Sequence, residues 1–178
     1  MFANETGCRL KYRDALLVDL KLALSSSDNR YNPMFKHVLI ATDGSELAQN
    51  AVTHGLALAK ALAAKVTAVT VTDIYPTGPY APIPLPSMIE RYEAAAALTA
   101  ANILSSVSDA ATKLGIDCAR MHVKDQTPAE GILDAAQQSG CDLIVIASHG
   151  RRGMMRLLLG SQAQKVVTLS TLPVLICR

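Results

Sequence analysis

The 178-residue sequence has no tryptophan, and two phenylalanines and five tyrosines bring its aromatic content to only 4%. A platform on which successive bases of a single strand stack needs more aromatic faces than that. Charge is scarce as well: 18% of residues carry it, and 17 Lys and Arg against 15 Asp and Glu leave a net charge of +2. No surplus of one sign exists to draw in a polyanion, which argues against nucleic-acid partners and against attachment to an anionic membrane surface. The four cysteines, Cys8, Cys118, Cys141 and Cys177, have no CxxC spacing. They read as isolated thiols in a reducing cytoplasm rather than as a disulfide framework or paired zinc ligands. No run of about 18 apolar residues occurs, so no membrane-spanning helix is expected. Half of the residues are hydrophobic, ample for one packed core, and the length suits one domain.

Arg9, Lys11 and Arg13 precede Ala15-Leu16-Leu17-Val18, an order that resembles a secretory leader. Asp19 and Lys21 interrupt the apolar stretch, and no cleavage site follows. Residues 1–33 are therefore expected to be an N-terminal extension, a short marginal helix and a polar linker from Ser25 to Pro33. The domain itself is expected over 34–178.

From Phe35 onward, strand and helix signals alternate. His37 to Ala41 is a short apolar run rich in strand formers, closed by Thr42-Asp43-Gly44-Ser45. Glu46 to Ala64 is rich in Ala and Leu and predicts a helix. Val66 to Thr72 predicts a second strand. Five prolines between Asp73 and Pro86 exclude regular helix or a central strand there. Ser87 to Leu114 predicts a long helix closed by Gly115. Ile116 to Val123 is polar enough for an edge strand. Thr127-Pro128-Ala129-Glu130 has the form of an N-cap, a first-turn proline and an acidic first turn, opening a helix that runs to Ser139-Gly140. Asp142 to Ala147 predicts the fourth strand, Gly160-Ser161 the start of the last helix, and Leu172 to Cys177 the fifth strand.

Five strands separated by four helices predict an α/β fold: a five-stranded, mostly parallel, doubly wound, Rossmann-like sheet with helices on both faces. The near-continuous apolar strands agree with burial on both sides. In such sheets ligands bind beyond the carboxyl ends of the strands, where the strand order reverses. Three strand ends are therefore of interest: Thr42-Asp43-Gly44-Ser45, Asp73, and Ser148-His149-Gly150-Arg151-Arg152-Gly153, the last followed by Gly160-Ser161 at a helix start. Glycines let backbone N–H groups approach an anion, and a helix N-terminus adds donors and partial positive charge. Gly150 with Gly160-Ser161 is thus either a phosphate cradle, with Arg151 or Arg152 neutralising charge, or simply a turn and a cap. Asp43 either accepts hydrogen bonds from a ribose or base edge or caps the following helix. His149 has no nucleophile to activate, and Met154, Met155 and Leu157 to Leu159 suit packing under the loop.

Other signatures are missing from the sequence. It contains no GxxxxGK[ST], no GxGxxG after the first strand, no GxSxG elbow, and no metal-ligand or paired-carboxylate arrangement. A binding module is favoured over an enzyme.

Taken together, His37-Val38-Leu39-Ile40-Ala41-Thr42-Asp43-Gly44-Ser45, Asp142-Leu143-Ile144-Val145-Ile146-Ala147-Ser148-His149-Gly150, Leu158-Leu159-Gly160-Ser161 and Leu172-Pro173-Val174-Leu175-Ile176 resemble the universal stress protein family, over 35–178. Its nucleotide-binding members are similar in carrying Gly, two residues, Gly, nine residues, then Gly-Ser. Here Gly150 and Gly160-Ser161 match, while Ala147 replaces the first glycine and weakens the expectation without removing it. The resemblance implies ATP as ligand, with Mg²⁺ bound through its phosphates. It implies that Thr42 and Asp43 meet the adenosine part and that Val71 lines the adenine pocket. By the same resemblance Ala147 and His149 border the site, and Gly150, Arg151, Gly160, Ser161 and Gln162 hold the phosphates. It also implies a cytoplasmic, non-enzymatic stress-response protein that dimerises through its last strand, at Val174 and Ile176, and is read by other proteins. The Pro-rich segment 73–86 is expected to be ordered by the ligand. The alternative is a nucleotide-free dimeric interaction module of the same fold.

Overall fold

Five strands and four helices alternate through a computed structural model that describes residues 34–75, 84–150 and 159–178. In chain order they are β1 (His37–Ala41), α1 (Glu46–Leu62), β2 (Lys65–Thr72), α2 (Pro86–Lys113), β3 (Cys118–Lys124), α3 (Pro128–Ser139), β4 (Leu143–Ala147), α4 (Ser161–Leu169) and β5 (Val174–Cys177). The expected extension 1–33, most of the Pro-rich segment and Arg151 lie outside the described residues.

The strands form one sheet in the order β3-β2-β1-β4-β5, and every pairing is parallel. The doubly wound α/β expectation is met and sharpened from mostly to wholly parallel. The polar third strand is an edge strand, as its composition suggested. Several boundaries differ from the sequence reading by one residue and three by two: α1 ends at Leu62 rather than Ala64, β3 begins at Cys118 rather than Ile116, and β5 at Val174 rather than Leu172. The Ile116 N–H instead bonds back to Ala111 at the end of α2, 3.0 Å away, and Leu172 is held by the Ser170 hydroxyl, 3.0 Å from its N–H.

The helix faces follow from spacing. Ala48, Ala51, Val52, Gly55, Leu56 and Ala59 of α1 recur at helical intervals and pack with Leu104 and Val107 of α2 on Val38, Ile40, Val66 and Val145. On the opposite face, Ala129, Ile132, Ala135 and Ala136 of α3 and Ala163 and Val166 of α4 cover Leu39, Val69, Ile144 and Ile146. Ser45 caps α1, its hydroxyl accepting from the Ala48 N–H at 3.2 Å. Gly115 takes φ +72°, the left-handed conformation that ends α2.

At the amino end of the sheet, one Asp142 carboxylate spans two strands. It accepts from the N–H groups of Lys36 at 2.8 Å and His37 at 3.0 Å, fixing the start of β1 against the start of β4. Beneath α1, Gly55 permits a close approach: a Cβ there would lie 2.8 Å from Ile40 Cδ1 and 3.3 Å from Val145 Cγ1. Gly55→Ala is therefore expected to cost about 1–3 kcal/mol by overpacking, read as a shift of the urea midpoint. Ile40→Val, which removes the clashing Cδ1, should recover part of that loss in the double variant.

Burial pushes the Cys141 thiol up to about 11, with the Asp142 charge adding to the shift and a hydrogen bond with Thr67 opposing it. The thiolate is the reactive species, so at pH 8 Cys141 should stay unmodified by iodoacetamide in the native protein. Peptide mass spectrometry should find it fully alkylated only after denaturation.

Candidate functional site

The strand order places β1 and β4 side by side, and the chain leaves them toward opposite faces of the sheet. The turn after β1 is tied to itself and to β2. Thr42 is buried; its N–H donates to the Val69 carbonyl at 3.0 Å, and its own carbonyl accepts from the Thr70 hydroxyl. Gly44, at φ +77°, lets the chain reverse, and its N–H donates to Thr42 Oγ1 at 3.2 Å. Asp43 Oδ1 accepts from the Ser45 N–H at 3.0 Å. Its other oxygen lies over the end of β4, where a Cβ on Gly150 would come within 2.8 Å of Oδ2.

The end of β4 is bound to α4. The Ser148 N–H donates to the Cys177 carbonyl at 2.7 Å, and the Ser148 carbonyl accepts from the Gly160 N–H at 2.8 Å. A Cβ at Gly160 would lie 3.0 Å from that carbonyl oxygen and 3.4 Å from His149 Cα, so a glycine is needed for α4 to start this close. Gly160 is the N-cap and has no side chain of its own to accept from the first N–H groups of α4. His149 Nδ1 sits 3.2 Å from Ser148 Oγ.

The start of α3 differs from the expected cap. Thr127 occupies the N-cap position, but its hydroxyl donates to Glu130 Oε2 at 2.7 Å rather than accepting from the backbone. Gln162 does the capping instead: its side-chain oxygen accepts from the Ala129 N–H at 3.1 Å. The resemblance placed Gln162 among the residues that hold phosphates through backbone and side chain; its side-chain oxygen is engaged in joining the starts of α3 and α4.

These elements enclose a cavity of about 650 Å³ at the carboxyl end of the sheet. Thr42, Asp43, Val71, Ala147, His149, Gly150, Gly160, Ser161 and Gln162 all border it, so nine of the ten residues singled out in the sequence meet in one place; Arg151 is not described. The cavity draws on both cores. Ala147 belongs to the cluster under α1 and α2, whereas Val71 packs with the cluster under α3 and α4.

A wall that sequence reasoning missed is α2, which contributes Tyr92, Ala95, Ala96 and Thr99. The Tyr92 hydroxyl donates to the Asp73 carbonyl at 3.2 Å, and its ring meets Tyr75 edge to face with centroids 5.2 Å apart. The run Ala94 to Ala97 was the available signal, because small side chains leave room where a helix would otherwise fill it. Pro128 and Ile132 of α3 were missed likewise. At the outer rim, His122 Nε2 lies 2.8 Å from Thr72 Oγ1. Burial, and secondarily Lys124, push the His122 imidazole below its usual range, favouring the neutral form at pH 7.

Among the described residues no three His, Cys, Asp or Glu side chains are grouped to hold a metal ion, and no helix is long and apolar enough to cross a membrane. The site offers backbone donors, the carboxylates of Asp43 and Asp73, the His149 imidazole and an apolar wall.

Comparison with known proteins places this architecture. The universal stress protein family model matches residues 34–178. The universal stress protein YxiE of Bacillus subtilis is 31% identical over 152 residues, spanning 82% of this chain and all of that protein. Among solved structures, protein MJ0577 aligns with a TM-score of 0.71 at 26% identity, over 81% of this chain and 96% of that one. A universal stress protein solved in complex with cAMP aligns with a TM-score of 0.57 at 25% identity, over 81% of this chain and 97% of that one. The chain belongs to the universal stress protein family.

Proposed function

We propose that this protein binds ATP in the cavity at the carboxyl end of its sheet and works as a nucleotide-dependent regulatory module of the stress response in the cytoplasm. The observation that carries this reading is the convergence of Asp43, Gly150 and the glycine-capped start of α4 on one cavity. A Cβ at Gly150 would crowd the Asp43 carboxylate, at 2.8 Å, and one at Gly160 the Ser148 carbonyl, at 3.0 Å. The first N–H groups of α4 offer donors to phosphate, Val71 offers an apolar seat to the base, and Asp43 offers an acceptor to the sugar. The cAMP complex of a relative supports an adenine nucleotide as the ligand class. Mg²⁺ would travel on the phosphates, since no protein cluster is needed to hold it. In this reading the protein binds ATP to bias a surface that other proteins read, without turnover.

Titration calorimetry with Mg-ATP tests the reading. Binding heat and a raised melting temperature are expected at millimolar nucleotide or below, and neither appearing would overturn it in favour of a nucleotide-free module. Gly160→Val, which pushes the start of α4 off Ser148, should weaken ATP by about fivefold or more, the equivalent of about 1 kcal/mol or more.

The dimer expected through the last strand remains part of the proposal, and the hydrogen bonding of β5 supports it. Pro173 and Cys177 turn their carbonyls to β4, where Ile144 and Ser148 donate to them at 3.0 and 2.7 Å. By strand alternation, the backbone groups of Val174 and Ile176 face away from β4, at the sheet edge. Ile176→Pro would remove an outward N–H without touching the ladder to β4. Light scattering should then report a dimer for the unaltered protein and a monomer for the variant.

A further inference from the structure

We propose that Gly131 is a positioning residue for the ligand: by lacking a side chain it lets Val71 sit back from the cavity and so sets the depth of the nucleobase seat. The inference rests on the nucleotide reading above. Gly131 lies in the first turns of α3, directly over the ends of β2 and β3. A Cβ there would lie 2.7 and 2.9 Å from the two methyl carbons of Val71 and 3.1 Å from Val123 Cγ1. Glycine is among the poorest helix formers, and this one has no left-handed backbone to require it. The close approach of Val71 is what it accommodates.

A side chain at this position could be absorbed in three ways, and two are blocked. The helix cannot readily lift, because Gln162 holds the Ala129 N–H at 3.1 Å and Ala129, Ile132, Ala135 and Ala136 are buried against the sheet. The strand cannot readily sink, because Val71 is laddered to β3 opposite Val123 and the residue before it is tied to the turn after β1, the Thr70 hydroxyl donating to the Thr42 carbonyl. The Val71 side chain remains, and the open space beside it is the cavity that it borders together with Pro128 and Ile132. Relaxing a 2.7 Å approach to an ordinary carbon contact of about 3.5–4 Å moves the methyl groups inward by about 1 Å. That is enough to fill part of the space a flat base would occupy. Gly55 shows the contrast: its neighbours Ile40 and Val145 are core residues away from the cavity, so it serves packing alone.

The test is a double-variant cycle on the full chain, with Mg-ATP affinity by calorimetry and folding by circular dichroism. Gly131→Ala is expected to weaken ATP about tenfold, the effect of a modest overpacking clash. The same substitution placed on Val71→Ala, which has no methyl groups to displace, is expected to change affinity by less than about twofold relative to Val71→Ala alone. An undiminished penalty in the Val71→Ala background, or none in the unaltered background, overturns the proposal. Should Gly131→Ala alone not fold, the comparison within the Val71→Ala background still decides: equal affinities support the proposal and a weaker double variant overturns it. Absence of ATP binding by the unaltered protein instead overturns the nucleotide reading. ATP binding that Gly131→Ala leaves unchanged overturns this inference alone.

Discussion

The parallel pairing of β1 with β4 is the constraint on which the rest of this structure depends. At its amino end the Asp142 carboxylate clamps the two strands through Lys36 and His37. At its carboxyl end the chain diverges, β1 feeding α1 on one face and β4 leading to α4 on the other. A crevice must open where neighbouring strands send their connections to opposite faces. The hydrogen bond from Gly160 to the Ser148 carbonyl then draws the start of α4 onto the lip of that crevice. The clamp therefore acts at a distance on the site: it fixes the register that puts Asp43 and Gly150 against each other.

The cavity exists because the side chains around it are small. Ala48 from one core, Ala41 and Ala163 from the other, and Ala95, Ala96 and Ala100 from α2 all border it. Larger residues at those positions would fuse the two cores across the sheet end. Two of the described aromatics, Tyr75 and Tyr92, brace α2 to the end of β2. Gln162 performs the same service between α3 and α4. Two polar side chains thus hold three helices around a space that apolar packing alone would tend to collapse.

The sequence carried the strands and the contact set of the site because both are written locally. A run such as Leu143 to Ala147, buried along its whole length, cannot be mistaken for a surface segment, and glycines at 44, 150 and 160 mark close approaches that any strand-to-helix turn makes legible. What stayed hidden depends on distant partners. Tyr92 and Thr99 lie in the middle of a long helical signal, and nothing nearby says that their face meets a strand end rather than the core. Thr127 has the form of a capping residue, yet the cap comes from Gln162, 33 positions beyond Ala129. Gly131 reads only as a weak point in a helix until Val71 is seen beneath it.

Ala147 is where the two levels of reading meet. From the sequence, its methyl replaces a hydrogen in the glycine pattern and should press on the ligand. In the fold, strand alternation decides which way that methyl goes. Ile146 belongs to the cluster under α3 and α4, so Ala147 turns to the opposite face, where it joins the cluster with Ala48 and Val145 and retains 6% exposure. Val71 lies with α3 and α4, on the other side of the sheet plane. The methyl therefore borders the cavity from the α1 and α2 side, as Ala48 does, and not beside Val71. The departure from the family pattern bears on that side of the space rather than on the Val71 wall, because a motif counts positions whereas a strand assigns them to faces.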